Sequence, residues 1–161
     1  MNNHFDLTGR VAVITGGARG IGLSAAERLA DAGASIAIVD IDAEASQAAV
    51  ANIEQRGQKA IACPIDLTDE QAVVAMTDEV CAKLGSYDIL TCAAGIVGQN
   101  AFAWETSVDE WRKVLEVNLT ALWLCNREAL RPMRKQNRGR IVNIASIAGK
   151  EGNPKLGPYS A

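Results

Sequence analysis

The feature that most constrains this chain is an apolar run that breaks directly into glycines. Val11-Ala12-Val13-Ile14 leads into Thr15-Gly16-Gly17-Ala18-Arg19-Gly20-Ile21-Gly22, and helical periodicity begins within those same glycines. A short apolar run rich in β-branched residues reads as a buried strand. Ile21, Ala25 and Leu29 then recur at the spacing of one helix face, so the segment is a strand, a tight turn and a helix. Glycines at such a turn let backbone N–H groups and the positive helix end approach a pyrophosphate with no Cβ in the way. A plain strand-to-helix connection is the alternative, and three spaced glycines in this context favour the phosphate-binding reading.

The alternation then repeats. Ser35-Ile36-Ala37-Ile38-Val39 reads as a second strand ending at Asp40, and the helix after it opens near Asp42, which can cap it, and carries Ala45, Ala49 and Ile53. Lys59-Ala60-Ile61-Ala62-Cys63 is a third strand, after which Thr68-x-x-Gln71 has the form of a capping box before a helix with Val73, Met76, Val80 and Leu84 inward. Tyr87 to Cys92 is a fourth. Ser107-x-x-Glu110 caps a long helix through Trp111, Leu115, Leu119 and Leu122, and Arg140-Ile141-Val142-Asn143-Ile144 is a fifth strand. Runs that are apolar throughout belong to strands covered on both faces, which predicts a parallel sheet with right-handed crossovers: an α/β, doubly wound, Rossmann-like fold. With 161 residues, 48% of them apolar, residues 1–161 read as one domain without a linker or internal repeat. The stretch from Gly149 to Pro158, rich in Gly, Pro, Lys and Asn, reads as a loop that should lead into another helix.

Composition excludes several classes of function. A net charge of −3 and a pI near 5.2 give no broad attraction for nucleic acid or an anionic membrane surface. No apolar run approaches the roughly 18 residues of a membrane span, and the opening Met1 to Asp6 lacks the regions of a signal peptide, so a cytoplasmic protein is expected. Cys63, Cys81, Cys92 and Cys125 form no C-x-x-C pair and read as small hydrophobes in a reducing compartment rather than a disulfide framework. His4 is the single histidine and sits in an N-terminus expected to fray. Neither a Ser-His-Asp triad nor a histidine-rich metal site can be assembled, and no metal is expected.

The residues with chemistry to offer fall at the carboxyl ends of the strands. Asp40, 18 residues beyond Gly22, can accept hydrogen bonds from the ribose hydroxyls of an adenosine and repel a 2′-phosphate, which favours NAD over NADP. Capping of the next helix by Asp40 or Asp42 is the alternative, and Arg19 offers some phosphate pairing. Asn118 interrupts the apolar stretch Val114-Leu115-Glu116-Val117-Asn118-Leu119, where a buried amide needs its hydrogen bonds met; by itself it reads as a satisfied core amide. Ser146 follows the fifth strand at the edge where doubly wound sheets bind ligands, although alone it is an ordinary loop serine.

The G-x-x-x-G-x-G spacing of Gly16, Gly20 and Gly22, with Asp40, Asn118, Ser146 and Tyr159 in order, resembles the classical short-chain dehydrogenase/reductase family, including its 3-oxoacyl-ACP reductases and sugar or sugar-acid dehydrogenases. The resemblance covers about Leu7 to Ala161. It implies a strand order 3-2-1-4-5 and a coenzyme bound by Gly16, Arg19, Gly20, Ile21 and Gly22. Asp40 and Ile41 would lie at the ribose, and Asp66-Leu67 at the adenine ring, where a solvated turn aspartate is the alternative for Asp66. After the fourth strand the family usually carries Asn-Asn-Ala-Gly or Asn-Ala-Ala-Gly, where this chain has Cys92-Ala93-Ala94-Gly95. The departure removes a side-chain amide that ties the central strands near the coenzyme, while Ala94-Gly95 still permits close backbone approach.

The resemblance also implies hydride transfer between a nicotinamide and a secondary alcohol or ketone. Tyr159 would exchange the hydroxyl proton, Ser146 would orient the oxygen, and Asn118 would bend its helix and hold a water in a proton relay. The family's matching lysine would fall two positions past Ala161, so Tyr159 is expected to lack the positive charge that draws a phenol towards neutrality. The expectation is therefore a coenzyme-binding portion, incomplete at its C-terminus, with its fifth strand an open and hazardous edge. A nucleotide-binding module without turnover is the competing class. Lys150, Glu151 and Asn153 point to a small polar substrate, such as a sugar acid or polyol. The helix bearing Trp111, Leu115, Leu122 and Trp123 resembles a subunit-contact helix, which implies a homodimer or homotetramer; core packing is the rival explanation.

Overall fold

The computed structural model describes residues 5–161, so His4 lies outside the described residues. Five strands alternate with helices: β1 (Val11–Thr15), α1 (Gly20–Asp31), β2 (Ser35–Asp40), α2 (Ala43–Gln55), β3 (Ala60–Pro64), α3 (Glu70–Leu84), β4 (Ile89–Cys92), α4 (Val108–Leu115), α5 (Ala121–Lys135) and β5 (Arg140–Asn143). The sheet is parallel throughout, in the order β3-β2-β1-β4-β5, as expected. Its register aligns Val13 with Ala37 on one side and with Leu90 on the other, and Leu90 with Ile141 beyond.

Because side chains alternate across a strand, β1 feeds two cores. Val11 and Val13 join Val73, Met76 and Val80 of α3 and Leu124, Cys125, Ala129 and Met133 of α5 on one face. Ala12 and Ile14 join Ala26 and Ala30 of α1 and Ala49, Val50 and Ile53 of α2 on the other. Cys63, Cys92 and Cys125 are buried and all four cysteines are free. Burial pushes the thiols of Cys63 and Cys92 up to about 11 and that of Cys125 to about 12, so they pack as apolar groups.

Several local expectations are corrected. The fully buried stripe of α1 is Gly22, Ala26 and Ala30, small residues that let the helix lie close to the sheet; of the expected Ile21, Ala25 and Leu29, Leu29 packs half-buried against the core, Ala25 is half-buried and Ile21 is exposed. The cap of α3 is Asp69, whose carboxylate accepts the N–H groups of Gln71 and Ala72, whereas Thr68 donates its hydroxyl to Asp66. Ser107 does cap α4, accepting from the N–H of Glu110 at 3.1 Å, but the Glu110 carboxylate is spent on the N–H of Gln99 rather than returned to the cap. The long helix is not continuous: a π-helical segment, Glu116–Thr120, joins α4 to α5, with the N–H of Ala121 reaching the carbonyl of Glu116. The stretch from Gly149 to Pro158 is not all loop, since α6 (Ala148–Glu151) occupies its start, and it leads into a short helix, α7 (Gly157–Ser160).

At the amino edge of the sheet, Asp88 is 4% exposed and closes three elements together. It accepts from the Val11 N–H of β1 at 3.0 Å, from Ser86 at 2.5 Å and from Arg138, just before β5, at 2.6 Å, with Arg10 at 3.4 Å. β5 is the outermost strand on its side of the described sheet, with Val142 and the neighbouring Ile144 exposed. Among the described residues no helix is long and apolar enough to cross a membrane.

Candidate functional site

The turn from β1 into α1 is built by its glycines. Gly16 has φ +63, and a Cβ there would lie 2.7 Å from the backbone nitrogen of Ala94, so the loop and the end of β4 touch only because neither adds an atom. A Cβ on Gly22 would stand 2.1 Å from the Gly16 carbonyl oxygen, which is what lets α1 start directly against the loop. Gly20 faces open space. α1 opens at Arg19 with extended backbone and no side-chain cap, unlike α2, α3 and α4, which are capped by Asp42, Asp69 and Ser107. Its first-turn N–H groups therefore keep their hydrogen-bonding capacity for a ligand, and no acidic residue occupies that turn.

These N–H groups border a cleft of about 840 Å³ along the carboxyl edge of the sheet. Gly16, Arg19, Ile21 and Gly22 form one wall, Asp40 and Ile41 follow from β2, Asp66 and Leu67 from β3, and Ala93, Ala94 and Gly95 from β4. All the expected coenzyme contacts except Gly20 thus meet in one place. Ile21, exposed in the helix, presents its side chain at this wall. The two oxygens of Asp40 accept the N–H groups of Ala18 at 3.3 Å and Asp42 at 3.2 Å, tying the glycine loop to the end of β2. Asp66 does form a local turn, as its alternative reading held, and it also lines the cleft. Hydrogen bonds from the backbone and then the hydroxyl of Thr68 hold its carboxyl below the usual carboxylate range.

The cleft has further wall residues that sequence reasoning did not place at the site: Ile65, Thr68, and Lys113, Glu116 and Val117 from α4 and the π segment; Ile96 also lines it. Their spacing of three and four places Lys113, Glu116 and Val117 on one helix face, a signal the sequence carried. The shape and chemistry suit a dinucleotide: open N–H donors for a pyrophosphate, a carboxylate for ribose hydroxyls, and the apolar Ile41, Ile65 and Leu67 for a flat base.

Asn118 lies within the π segment and pairs with one backbone residue in both directions. Its amide nitrogen donates to the Ile96 carbonyl and its oxygen accepts the Ile96 N–H, each at 2.8 Å. It clamps the chain leaving β4 at the side of the cleft. Ser146 is exposed and accepts the Ala148 N–H at 3.2 Å. Tyr159 is half-buried in α7, which packs on α4 and on α6, the helix that follows Ser146. No hydrogen bond joins Asn118, Ser146 and Tyr159 to one another among the described residues, and none of the three is in the cleft wall. Cys92, at the departure from the family pattern, is buried with its thiol 3.8 Å from the Asn126 amide oxygen. The strands stay tied there by backbone: Ala93 donates to the Thr15 carbonyl and Ile144 to that of Cys92.

A family model described as short chain dehydrogenase matches residues 10–161. The chain is 42% identical over 153 residues to a 2-dehydro-3-deoxy-L-rhamnonate dehydrogenase (NAD(+)) of Sphingomonas sp. (strain SKA58), covering 95% of this chain and 60% of that one. It is 41% identical over 152 residues to a cis-4-hydroxycyclohexanecarboxylate dehydrogenase of Sinomonas cyclohexanicum, covering 94% and 61%. Among solved structures, an NAD+-bound xylitol dehydrogenase superposes with a TM-score of 0.93 at 36% identity, covering 96% of this chain and 59% of that one. The chain therefore spans about 60% of the length of the curated relatives it matches.

Proposed function

Because the chain belongs to the short-chain dehydrogenase family, we propose that its cleft binds NAD(H) and that the protein transfers a hydride between that coenzyme and a small, polar secondary alcohol or ketone. The observation that carries this reading is the cleft itself, where an uncapped helix start, Asp40 and the Asp66-Leu67 pair meet in one volume. NAD is preferred over NADP because a carboxylate at Asp40 accepts from ribose hydroxyls and repels an added phosphate. The naming of one relative for NAD(+) and the NAD+ held by a solved neighbour support the choice. A sugar acid or polyol is the favoured substrate class, supported by the polar stretch around Lys150, Glu151 and Asn153 and by relatives named for a rhamnonate derivative and for xylitol.

Bound in the cleft, the nicotinamide supplies the hydride acceptor or donor. Tyr159 exchanges the proton of the substrate hydroxyl at its phenol oxygen, and Ser146, whose oxygen accepts the Ala148 N–H while its own O–H stays free to donate, orients the substrate oxygen. Asn118 acts through Ile96, fixing the loop that forms one side of the cleft. Trp111 and Trp123 are 41% and 54% exposed, so core packing does not explain them, and they supply apolar surface suited to subunit contact in a dimer or tetramer, whereas Leu122 packs against the core and Leu115 is half-buried.

The test is parallel titration with NADH and NADPH, followed by nicotinamide fluorescence and melting temperature on material whose mass in solution has been measured. NADH is expected to bind and raise the melting temperature, with NADPH weaker by at least about tenfold. Binding of neither coenzyme overturns the reading.

A further inference from the structure

Arg19 and Asp42 form an ion pair across the rim of the cleft, linking the start of α1 to the start of α2. Their side chains are 68% and 39% exposed, so the pair adds little to stability; its consequence is where one positive charge is held. Asp42 is fixed from two sides. Its other carboxylate oxygen accepts the Ala45 N–H at 3.0 Å as the cap of α2, and its backbone N–H donates to Asp40. Asp40 in turn holds the Ala18 N–H, next to Arg19. Arg19, Asp40 and Asp42 are thus one connected corner, and the other cation of the cleft wall, Lys113, belongs to α4. A free guanidinium at such a corner is a good bidentate partner for a phosphate, whereas one already spent on a carboxylate is not.

We propose that Asp42 is a second determinant of coenzyme choice, a positioning residue that acts through Arg19. By keeping the guanidinium at the start of α2, it denies a ribose 2′-phosphate the counter-charge that would make it acceptable beside Asp40. Rejection of the phosphorylated coenzyme then has two sources, repulsion by Asp40 and sequestration of Arg19. This inference rests on the coenzyme reading above.

Asp42→Asn keeps a side-chain oxygen for the Ala45 N–H and removes the charge, and Asp42→Ser is a second variant with the same property. NADH and NADPH are titrated against the unmodified chain, each Asp42 variant, Arg19→Ala and the double variants, with fluorescence and melting temperature as readouts. The NADPH-to-NADH ratio of Kd is expected to fall about threefold to fivefold in D42N, and to be unchanged between R19A and R19A/D42N. An equal fall in both backgrounds would mean that Asp42 acts by its own charge, and overturns the role given to Arg19. No fall in either Asp42 variant overturns the proposal. Binding of neither coenzyme to the unmodified chain instead removes the coenzyme reading, and this inference with it.

Discussion

At the amino edge of the sheet a buried carboxylate is surrounded by donors. Asp88 takes the Val11 N–H, the Ser86 hydroxyl and two guanidinium groups, and β1, β4 and β5 are fastened there. At the carboxyl edge the economy is reversed. Among the described residues no side chain caps the start of α1, two glycines hold backbone within contact of backbone, and the space in front of them stays open. The same five strands serve both ends, so closure at one allows openness at the other, and a ligand can complete what the chain leaves unfinished.

Substitutions at the two edges should accordingly fail in different ways. Asp88→Ala should have the largest effect on stability, about 2–3 kcal/mol by urea denaturation, because it strands the Val11 N–H and unpairs Arg138; NADH affinity of the folded fraction should hold. A large fall in affinity with little loss of stability would break the comparison. Gly22→Ala should do the opposite. Its Cβ meets the Gly16 carbonyl, so the loop must move, with a loss of about 1–2 kcal/mol and NADH affinity down by at least about tenfold. Unchanged binding in that variant would show that the glycine loop is packing alone.

Acid sharpens the same contrast with a smaller effect. Burial works against ionisation of Asp88, but hydrogen bonds from Ser86, Arg138 and Val11, with the charge of Arg138, outweigh it and hold the carboxyl below its ordinary 3.8. A carboxyl that releases its proton more readily folded than unfolded contributes stability that is complete above the unfolded value and is lost as pH falls through the folded one. Glu128, held low in the same way by Arg131 and Arg127 against its burial, adds to the loss. Stability should be flat from neutrality to about pH 5 and fall below pH 4, and Asp88→Asn should flatten part of that fall. An unchanged slope in the variant would show that Asp88 is not the group responsible.

The strand order and the layout of the cleft were legible because strongly periodic signals carry them: five apolar runs, glycines after the first, Asp40 at the end of the second. What escaped lies where two local choices compete. Thr68 and Asp69 both offer an oxygen near the start of α3, and the carboxylate of Asp69 caps it, accepting two N–H groups, while the Thr68 hydroxyl turns to donate to Asp66. In α1, hydrophobicity favoured Ile21 for the inner face, yet close packing on the sheet selects Gly22, Ala26 and Ala30, with Leu29 half-buried beside them, so size overrides apolarity at Ile21. The exposed Trp111, Leu119 and Trp123 show the same limit, since periodicity finds an apolar face but not what that face meets. Asn118 was recognisable as an amide needing partners; that both partners belong to Ile96, 22 residues earlier, is a tertiary fact.

The π segment has a consequence for how this helix tolerates changes in length. A bond from Ala121 back to Glu116 encloses one residue more than an α-helical turn, and the excess is absorbed where it occurs. Val114 before it and Leu124 after it are both buried. A closed turn that rotated Asn118 away from Ile96 would release both of the bonds between them and leave the chain after β4 to the bond that the Gln99 N–H donates to Glu110 of α4.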